Sequence, residues 1–190
     1  MSMRNRAPHL LAAAWIAICI GSIAFAPTAA RAASAAELDR ESATALKQLL
    51  KSDEGARSLA KKARAVLVFP KIVKGGFVIG GQYGDGALRS GGKATAYYRS
   101  IAASYGLQAG VQAFGYALFF MNDKALDYLK KSEGFELGIG PSIVVLDKGT
   151  AKALTTTTAR SDIYAVFFDQ KGLMAGLGVQ GTKITQIHPK

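Results

Sequence analysis

The sequence predicts an α+β domain: a strongly curved, antiparallel, glycine-rich β-sheet or barrel-like core with two N-terminal helices and one inserted helix. Three observations carry this prediction. The apolar pattern changes from a helical to a strand period at Ala65. Glycines recur four apart at Gly76 and Gly80, Gly106 and Gly110, Gly134 and Gly138, and Gly172 and Gly176. Only one later segment, "DKALDYLKK", returns to a helical pattern between capping residues.

The chain has 190 residues, 49% of them hydrophobic, which suits one domain with a sizeable core. The first 32 stand apart from it. "MSMRNRAPH" carries Arg4 and Arg6, the run from Leu10 to Ala26 is uncharged, and "PTAARA" ends in the small-x-small triplet Ala30-Arg31-Ala32. A basic start, apolar middle and small-residue end describe a secretory signal peptide cleaved after Ala32. Residues 33–190 are then a single exported domain of the periplasm or cell envelope. Left uncleaved, the same run would be a short membrane anchor. Arg4 and Arg6 are not adjacent, which disfavours a twin-arginine signal, and Cys19 lies mid-run after Ile18, which disfavours lipidation. Cys19 is the only cysteine, so the mature chain has no disulfide, thiolate metal site or cysteine nucleophile. Without Arg4, Arg6 and Arg31 it keeps 21 basic against 13 acidic residues, a charge of +8. A basic exported protein meets anionic lipid or envelope polymer sooner than nucleic acid.

Two helices open the mature chain. Ser34 followed by Glu37 reads as a capping box, and Leu38, Ala45, Leu46, Leu49 and Leu50 supply an apolar face. Ser52-Asp53-Glu54 starts a second helix, acidic at its start and basic towards Lys61, Lys62 and Arg64, which complements the helix dipole. "AVLVFP" then reads as a buried strand stopped by Pro70. "GGFVIGGQYGDG", "KATAYYRS", "YGLQAGVQAFG", "YALFFM", "FELGIG", "SIVVLD", "DIYAVFFD", "GLMAGLGVQG" and "KITQI" continue the strand pattern. Asp147-Lys148-Gly149 and Asp169-Gln170-Lys171-Gly172 have the composition of hairpin turns, as does "YGDG" around Asp85. Asn122 is the expected N-cap of the inserted helix, and Thr155 to Thr158 suit a sheet surface.

The segment from Gly172 to Gly181 contains G-x-G-x-x-G. A dinucleotide fingerprint needs a following helix and an acidic residue about 20 positions on. Only "TKITQIHPK" follows, and Thr182, Ile184 and Ile187 read as strand. In strands, evenly spaced glycines let a sheet curl or bring a backbone or ligand close. A sheet so curled would have room for an acyl chain.

Little points to catalysis. His9 belongs to the leader and His188 is the third residue from the end. No His- or Cys-rich metal spacing exists, and Asp85 and Asp162 read as turn residues flanking strands rather than as a carboxylate pair. The chain reads as a non-enzyme with no cofactor. The charge pattern is more informative. From Arg57 to Arg99 there are nine basic residues (Arg57, Lys61, Lys62, Arg64, Lys71, Lys74, Arg89, Lys93, Arg99) against one acid, Asp85. Lys71 and Lys74 interleave with Phe69, Ile72, Val73 and Phe77, the pattern of a surface that neutralises anionic headgroups while apolar groups enter the interface. A solvated basic helix is the plainer alternative. Tyr97, Tyr98, Tyr105, Phe114, Tyr116, Phe119 and Phe120 form an aromatic cluster expected mainly in the core.

"VLVFPKIVKGGFVIGGQYGDG", "SYGLQAGVQAFGYALFFMND", "GIGPSIVV" and "DQKGLMAGLGVQG", in this order, resemble the SYLF domain family, the Ysc84-type actin-binding domain family, from about Ala36 to Ile187. With the leader, the chain resembles its exported bacterial branch. The resemblance implies a lipid-binding domain whose relatives engage phosphoinositides through a basic, amphipathic N-terminal region, some also binding actin. Carried over by position, that region holds Lys61, Lys62, Arg64, Lys71 and Lys74, the same residues the charge pattern selects. Where eukaryotic members carry Trp-Ser-x-Pro, this chain reads "ATAYYRS". Phospholipid binding in the envelope, and not actin or nucleic acid binding, is therefore the expectation. A non-enzymatic structural or protein-interaction role is the alternative.

Overall fold

The computed structural model describes residues 33–77, 79–105, 110–131, 134–136, 139–146, 161–172 and 181–190. The expected leader, the four threonines, Asp147 to Gly149 and most of "GLMAGLGVQG" lie outside them. Three helices, α1 (Ala35–Ser52), α2 (Glu54–Ala60) and α3 (Asp123–Lys131), accompany eight strands. The strands are β1 (Ala65–Phe77), β2 (Ile79–Ser90), β3 (Lys93–Tyr105), β4 (Gly110–Phe120), β5 (Phe135–Glu136), β6 (Ile143–Leu146), β7 (Ile163–Gly172) and β8 (Lys183–Ile187). They make one curved, mixed sheet in the order β5-β8-β3-β2-β1-β4-β7-β6.

The helices start where their caps place them. The Ser34 side chain accepts from the Glu37 backbone N–H, and Asn122 Oδ1 accepts from that of Ala125 at 2.9 Å. Asp53 ends α1, donating its backbone N–H to the Leu49 carbonyl, and begins α2 by accepting from Ala56 N–H at 2.8 Å. The second helix is shorter than the charge pattern suggests: it ends at Ala60, so Lys61, Lys62 and Arg64 lie in the link to β1.

β1 from Ala65 to Phe69, β4 from Phe114 to Phe120 and β7 from Ile163 to Phe168 are buried on both sides, and their alternation sorts side chains between two cores. Ala65, Leu67, Phe69, Phe114, Tyr116, Leu118, Phe120, Ile163, Ala165 and Phe167 point to an inner core shared with Ala125 and Leu129 of α3. Val66, Val68, Ala117, Phe119, Tyr164, Val166 and Phe168 point to an outer core under Ala45 and Leu49 of α1 and Ala56 and Leu59 of α2. Each fully buried aliphatic or aromatic side chain contributes about 1.5–3 kcal/mol, which is why these strands read as unbroken apolar runs. Phe69, Phe114, Tyr116 and Phe167 occupy the middle of the inner face with ring centroids 4.8–6.4 Å apart. Rings stand there in place of the open channel an acyl chain needs.

The sequence reading of individual segments changes in four places. The sheet is not wholly antiparallel, because β6 and β7 pair in parallel from Ile143 opposite Ile163 to Leu146 opposite Val166. Sixteen residues separate Leu146 from Ile163, enough for the crossover a parallel pair requires. "GGFVIGGQYGDG" is not one strand. It holds a tight hairpin, with Gly76 opposite Gly80 and Phe77 opposite Ile79, so the first glycine pair faces across two strands instead of along one. Asp169 to Gly172 is not a turn but the end of β7. Two residues there, Asp169 and Gln170, oppose the single Phe114 between Ala113 and Gly115, and Asp169 takes a φ of 50°. Turn-like composition marks a β-bulge here. The actual two-residue hairpin turn is Gly91-Gly92, with φ of 57° and 82°, joining Ser90 to its partner Lys93 as a twist-compatible turn of positive φ requires.

"YGDG" is likewise strand, and its glycines have a packing reason. A Cβ on Gly84 would overlap the Lys71 carbonyl and Ile72, and one on Gly86 would overlap the Val68 carbonyl and Phe69. Their absence lets the two inward side chains of β1 lie flat on β2. Gly81 and Gly75 have no such neighbour: the nearest atoms to an added Cβ are Ala102 O at 3.6 Å and Val111 Cγ2 at 3.7 Å. Gly84→Ala and Gly86→Ala should each cost about 2 kcal/mol or more through overpacking, whereas Gly81→Ala and Gly75→Ala should stay within about 0.5 kcal/mol. Urea unfolding of the four variants checks the contrast; equal losses at all four positions would refute it.

Candidate functional site

β1 carries a bulge that decides where its lysines go. Phe69 opposes Tyr116 and Ile72 opposes Phe114, so two residues of β1, Pro70 and Lys71, span one of β4. Proline has no N–H to give a ladder and is at home at such a point. Because Phe69 and Ile72 both enter the inner core, the extra residue resets the alternation. Lys71 is left exposed on the outer side, Val73 follows it outward, and Lys74 turns to the inner face.

The four lysines and one arginine expected to act together are therefore not one cluster. Lys61, Lys62 and Arg64 lie at the start of β1, where Arg64 donates its backbone N–H to the Phe120 carbonyl and its guanidinium meets Asp123 at 3.5 Å. Lys71 is six residues along the strand, about 20 Å away, and Lys74 is on the opposite face from Lys71. Other cations of the basic segment hold the fold together. Arg57 donates to the Leu50 and Lys51 carbonyls at 2.8 and 3.2 Å and so caps the C-terminus of α1. Arg89, 8% exposed, donates to Asp39 of α1, to Ser42 Oγ at 3.1 Å and to the Gly92 carbonyl at 2.7 Å, tying that helix to the β2–β3 hairpin. Arg99 makes a two-pronged pair with Asp85 at 2.8 and 2.9 Å. Lys61, Lys62, Lys71 and Lys74 have no ion-pair partner among the described residues.

Beyond the bulge, the outer face of the sheet extends past the helices. Val73, Tyr83, Ile101 and Val111 stand there on β1, β2, β3 and β4, with exposures of 43%, 47%, 50% and 68%. Val73 opposes Tyr83, and Tyr83 opposes Ile101, so three of them form a continuous row. The row continues to Lys183 of β8, opposite Ile101, and on the other side through Ala113 to Lys171 of β7. With Lys71 above Val73, three exposed lysines frame a bare apolar strip. The Arg99 guanidinium lies 4.9 Å from the centre of the Tyr83 ring, and the Tyr83 hydroxyl donates to Asp85 at 3.1 Å. Partial burial, and then the Asp85 charge, push the Tyr83 phenol above its ordinary range, so the ring stays neutral. Of this strip the sequence reading had named only Lys71 and, beside it, Val73. Tyr83, Ile101, Val111, Lys171 and Lys183 come from strands far apart in the chain, and only their register brings them together.

The carboxylates are occupied. Asp85 belongs to the Arg99 pair, and Asp162 stands apart from it, accepting from Asn122 Nδ2 at 2.8 Å and from the Ser142 backbone N–H and hydroxyl at 2.9 Å each. These three bonds clasp the start of α3 and of β6 to the start of β7. Asp162 and Lys124 line a cavity of about 320 Å³ together with Ala125, Tyr128, Gly140 and Pro141. Among the described residues no group of three or more His, Cys, Asp or Glu side chains is placed to hold a metal ion. On the inner face Tyr116 is fully buried and donates to Ser100 Oγ at 2.8 Å; burial pushes its phenol far up, against the opposing effect of Ser100.

Hydrogen bonds from Asn122 and then Ser142 hold the Asp162 carboxyl below its reference value of 3.8. Its stabilising effect is therefore complete above pH 3.8 and is lost as pH falls through the lower folded value. Asp162→Asn should be less stable than the wild type at pH 6, the gap narrowing below pH 3.8. Chemical denaturation across pH 2–6, a range of about two units on either side of 4, checks it. A gap that is independent of pH would contradict the assignment.

Residues 101–188 match the family model described as Ysc84, Las17-binding protein actin regulator. No curated protein matches the chain.

Proposed function

We propose that this chain, whose residues 101–188 match the Ysc84 family model, is a non-enzymatic phospholipid-binding protein of the bacterial cell envelope, exported there by its N-terminal leader. It docks on anionic membrane through the bare outer half of its sheet. The observation that carries this reading is the strip of Val73, Tyr83, Ile101 and Val111 framed by Lys71, Lys171 and Lys183. An exposed apolar patch of adjacent residues calls for a partner. Cations at its rim favour one with negative charge, and a bilayer surface offers both an apolar interior and anionic headgroups.

Magnitudes support the assignment. Each lysine near an anionic surface contributes about 1 kcal/mol, so three give roughly 3 kcal/mol, or about two orders of magnitude in partitioning. The three ε-ammonium groups have no ion-pair partner among the described residues and their stems are flexible, whereas Arg57, Arg89 and Arg99 are fixed in the fold. Lys61 and Lys62 lie at the far end of β1 and add to the general attraction without sharing the same headgroups. The occupied states of Asp85 and Asp162 favour a binding role over acid–base chemistry.

A second reading comes from the family's description, which names a protein partner, Las17. On that reading the apolar strip would take a protein surface. Liposome co-sedimentation of residues 33–190 separates the two. Binding should be selective for anionic over neutral vesicles and should weaken strongly at high salt. Lys71→Glu with Lys171→Glu and Lys183→Glu should lower it about 100-fold or more. Tyr83→Ser with Ile101→Ser should lower it with the salt dependence retained, and Lys61→Glu with Lys62→Glu should act more weakly than the triple change. Indifference to anionic vesicles would remove the lipid reading and leave the protein-partner one.

A further inference from the structure

The inner face carries a polar row that neither the core nor the docking strip uses. Lys74 of β1 stands directly opposite Gln82 of β2 on one side and Gln112 of β4 on the other. All three stand an even number of positions from inward-facing residues: Lys74 follows Ile72, Gln112 precedes Phe114, and Gln82 precedes Gly84 and Gly86, over which Ile72 and Phe69 pack. Thr182, just before β8, completes the row by accepting from Gln82 Nε2 at 3.2 Å. Gln82, Gln112 and Thr182 are 7%, 4% and 0% exposed. Side chains directly opposite in an antiparallel pair have Cβ atoms about 5 Å apart, so the Lys74 stem and both amide side chains leave the sheet side by side, with the ammonium within reach of the amides.

That space is chemically unfinished. Gln112 Oε1 is buried and has no hydrogen-bond partner, a state that is costly in a folded protein and uncommon. Lys74, partly buried, has no ion-pair partner among the described residues. The two gaps differ in kind: the ammonium calls for an acceptor with negative charge, and the amide oxygen calls for a donor. A cationic donor would be repelled by Lys74, so a neutral hydroxyl suits the amide.

We propose that Lys74, Gln82, Gln112 and Thr182 form a binding site for an anionic group that carries a neighbouring hydroxyl, with phosphoglycerol as its simplest form. The phosphate oxygens accept from Lys74, and the hydroxyl donates to Gln112 Oε1. The Gln82–Thr182 pair holds the second wall and leaves the Gln82 carbonyl and the Thr182 hydroxyl free for further bonds. The same chemistry exists as a phosphatidylglycerol headgroup and as free glycerol phosphate. The site lies on the opposite face of the sheet from the docking strip and does not depend on it.

Two matched pairs of probes test the site, each differing only in the hydroxyls: glycerol phosphate against methyl phosphate by calorimetry, and phosphatidylglycerol against phosphatidylmethanol vesicles by co-sedimentation. In at least one pair the hydroxyl-bearing probe should bind about fivefold tighter, the size of one hydrogen bond. The pair that discriminates tells whether the ligand is the free ester or the lipid head. Gln112→Leu should abolish that preference with thermal stability equal to or above the wild type, since it removes an unsatisfied buried amide. Gln112→Met serves if the branched side chain prevents folding. Lys74→Ala should remove binding of both members of the soluble pair. The triple Glu variant of Lys71, Lys171 and Lys183 should keep the soluble preference, which separates a failure of this site from a failure of the docking strip. No discrimination in either pair, or discrimination that survives in the Gln112 variants, would overturn the proposal.

Discussion

The fold rests on burying both faces of three adjacent strands, β4 in the middle with β1 and β7 beside it. Strand geometry sends successive side chains to opposite sides, so a run such as Ala65 to Phe69 cannot hide in a single core. It needs cover above and below. The inner cover comes from the sheet's own curvature and from α3, through Ala125 and Leu129. The outer cover comes from α1 and α2, through Ala45, Leu49, Ala56 and Leu59. Those two helices reach only the first half of β1. The proposed docking strip lies where their cover ends, because the strands continue and their outward apolar residues do not find a partner within the described part of the chain.

The bulge at Pro70 and Lys71 is the second constraint. One extra residue moves every later side chain of β1 to the face it would otherwise avoid. Without it, the alternation set by Phe69 would carry inward Lys71 and Val73 and outward Ile72 and Lys74. With it, Ile72 fills the inner core at 0% exposure, Lys71 reaches the solvent, and Lys74 enters the polar row. The glycines of β2 answer the same event, since Gly84 and Gly86 lie against the backbone and side chains that the bulge displaces.

Basic residues divide by chemistry. Arginine's planar fork suits fixed, multi-pronged contacts. Arg57, Arg89 and Arg99 all make them, to carbonyls at the end of α1, to Asp39 and Ser42, and to both oxygens of Asp85. Lys61, Lys62, Lys71, Lys171 and Lys183, compact charges on flexible stems, are exposed and have no ion-pair partner among the described residues. The positive charge of the segment is therefore partly structural, and its total overstates what a membrane would meet. On the docking strip the missing charge is made up by Lys171 and Lys183 from distant strands.

The sequence by itself determined what depends on neighbours along the chain. Ser34, Asp53 and Asn122 cap helices where their side chains reach N–H groups two or three residues on, and the change of period at Ala65 marks the first strand, because both are local properties. The curved α+β class and the three helices of the described residues were legible on the same grounds. Tertiary structure alone decided register and cover. "YGDG" has the composition of a turn, yet its glycines serve a close approach by β1 that no local pattern reveals. Asp169 to Gly172 has the composition of a hairpin, yet it makes a bulge against Phe114. The row of Lys183, Ile101, Tyr83, Val73 and Lys171, and the second row of Lys74, Gln82, Gln112 and Thr182, join residues up to about a hundred positions apart. Their neighbourhood is set by hydrogen bonds between strands, and their exposure by where two helices stop. Neither quantity exists until the sheet has formed.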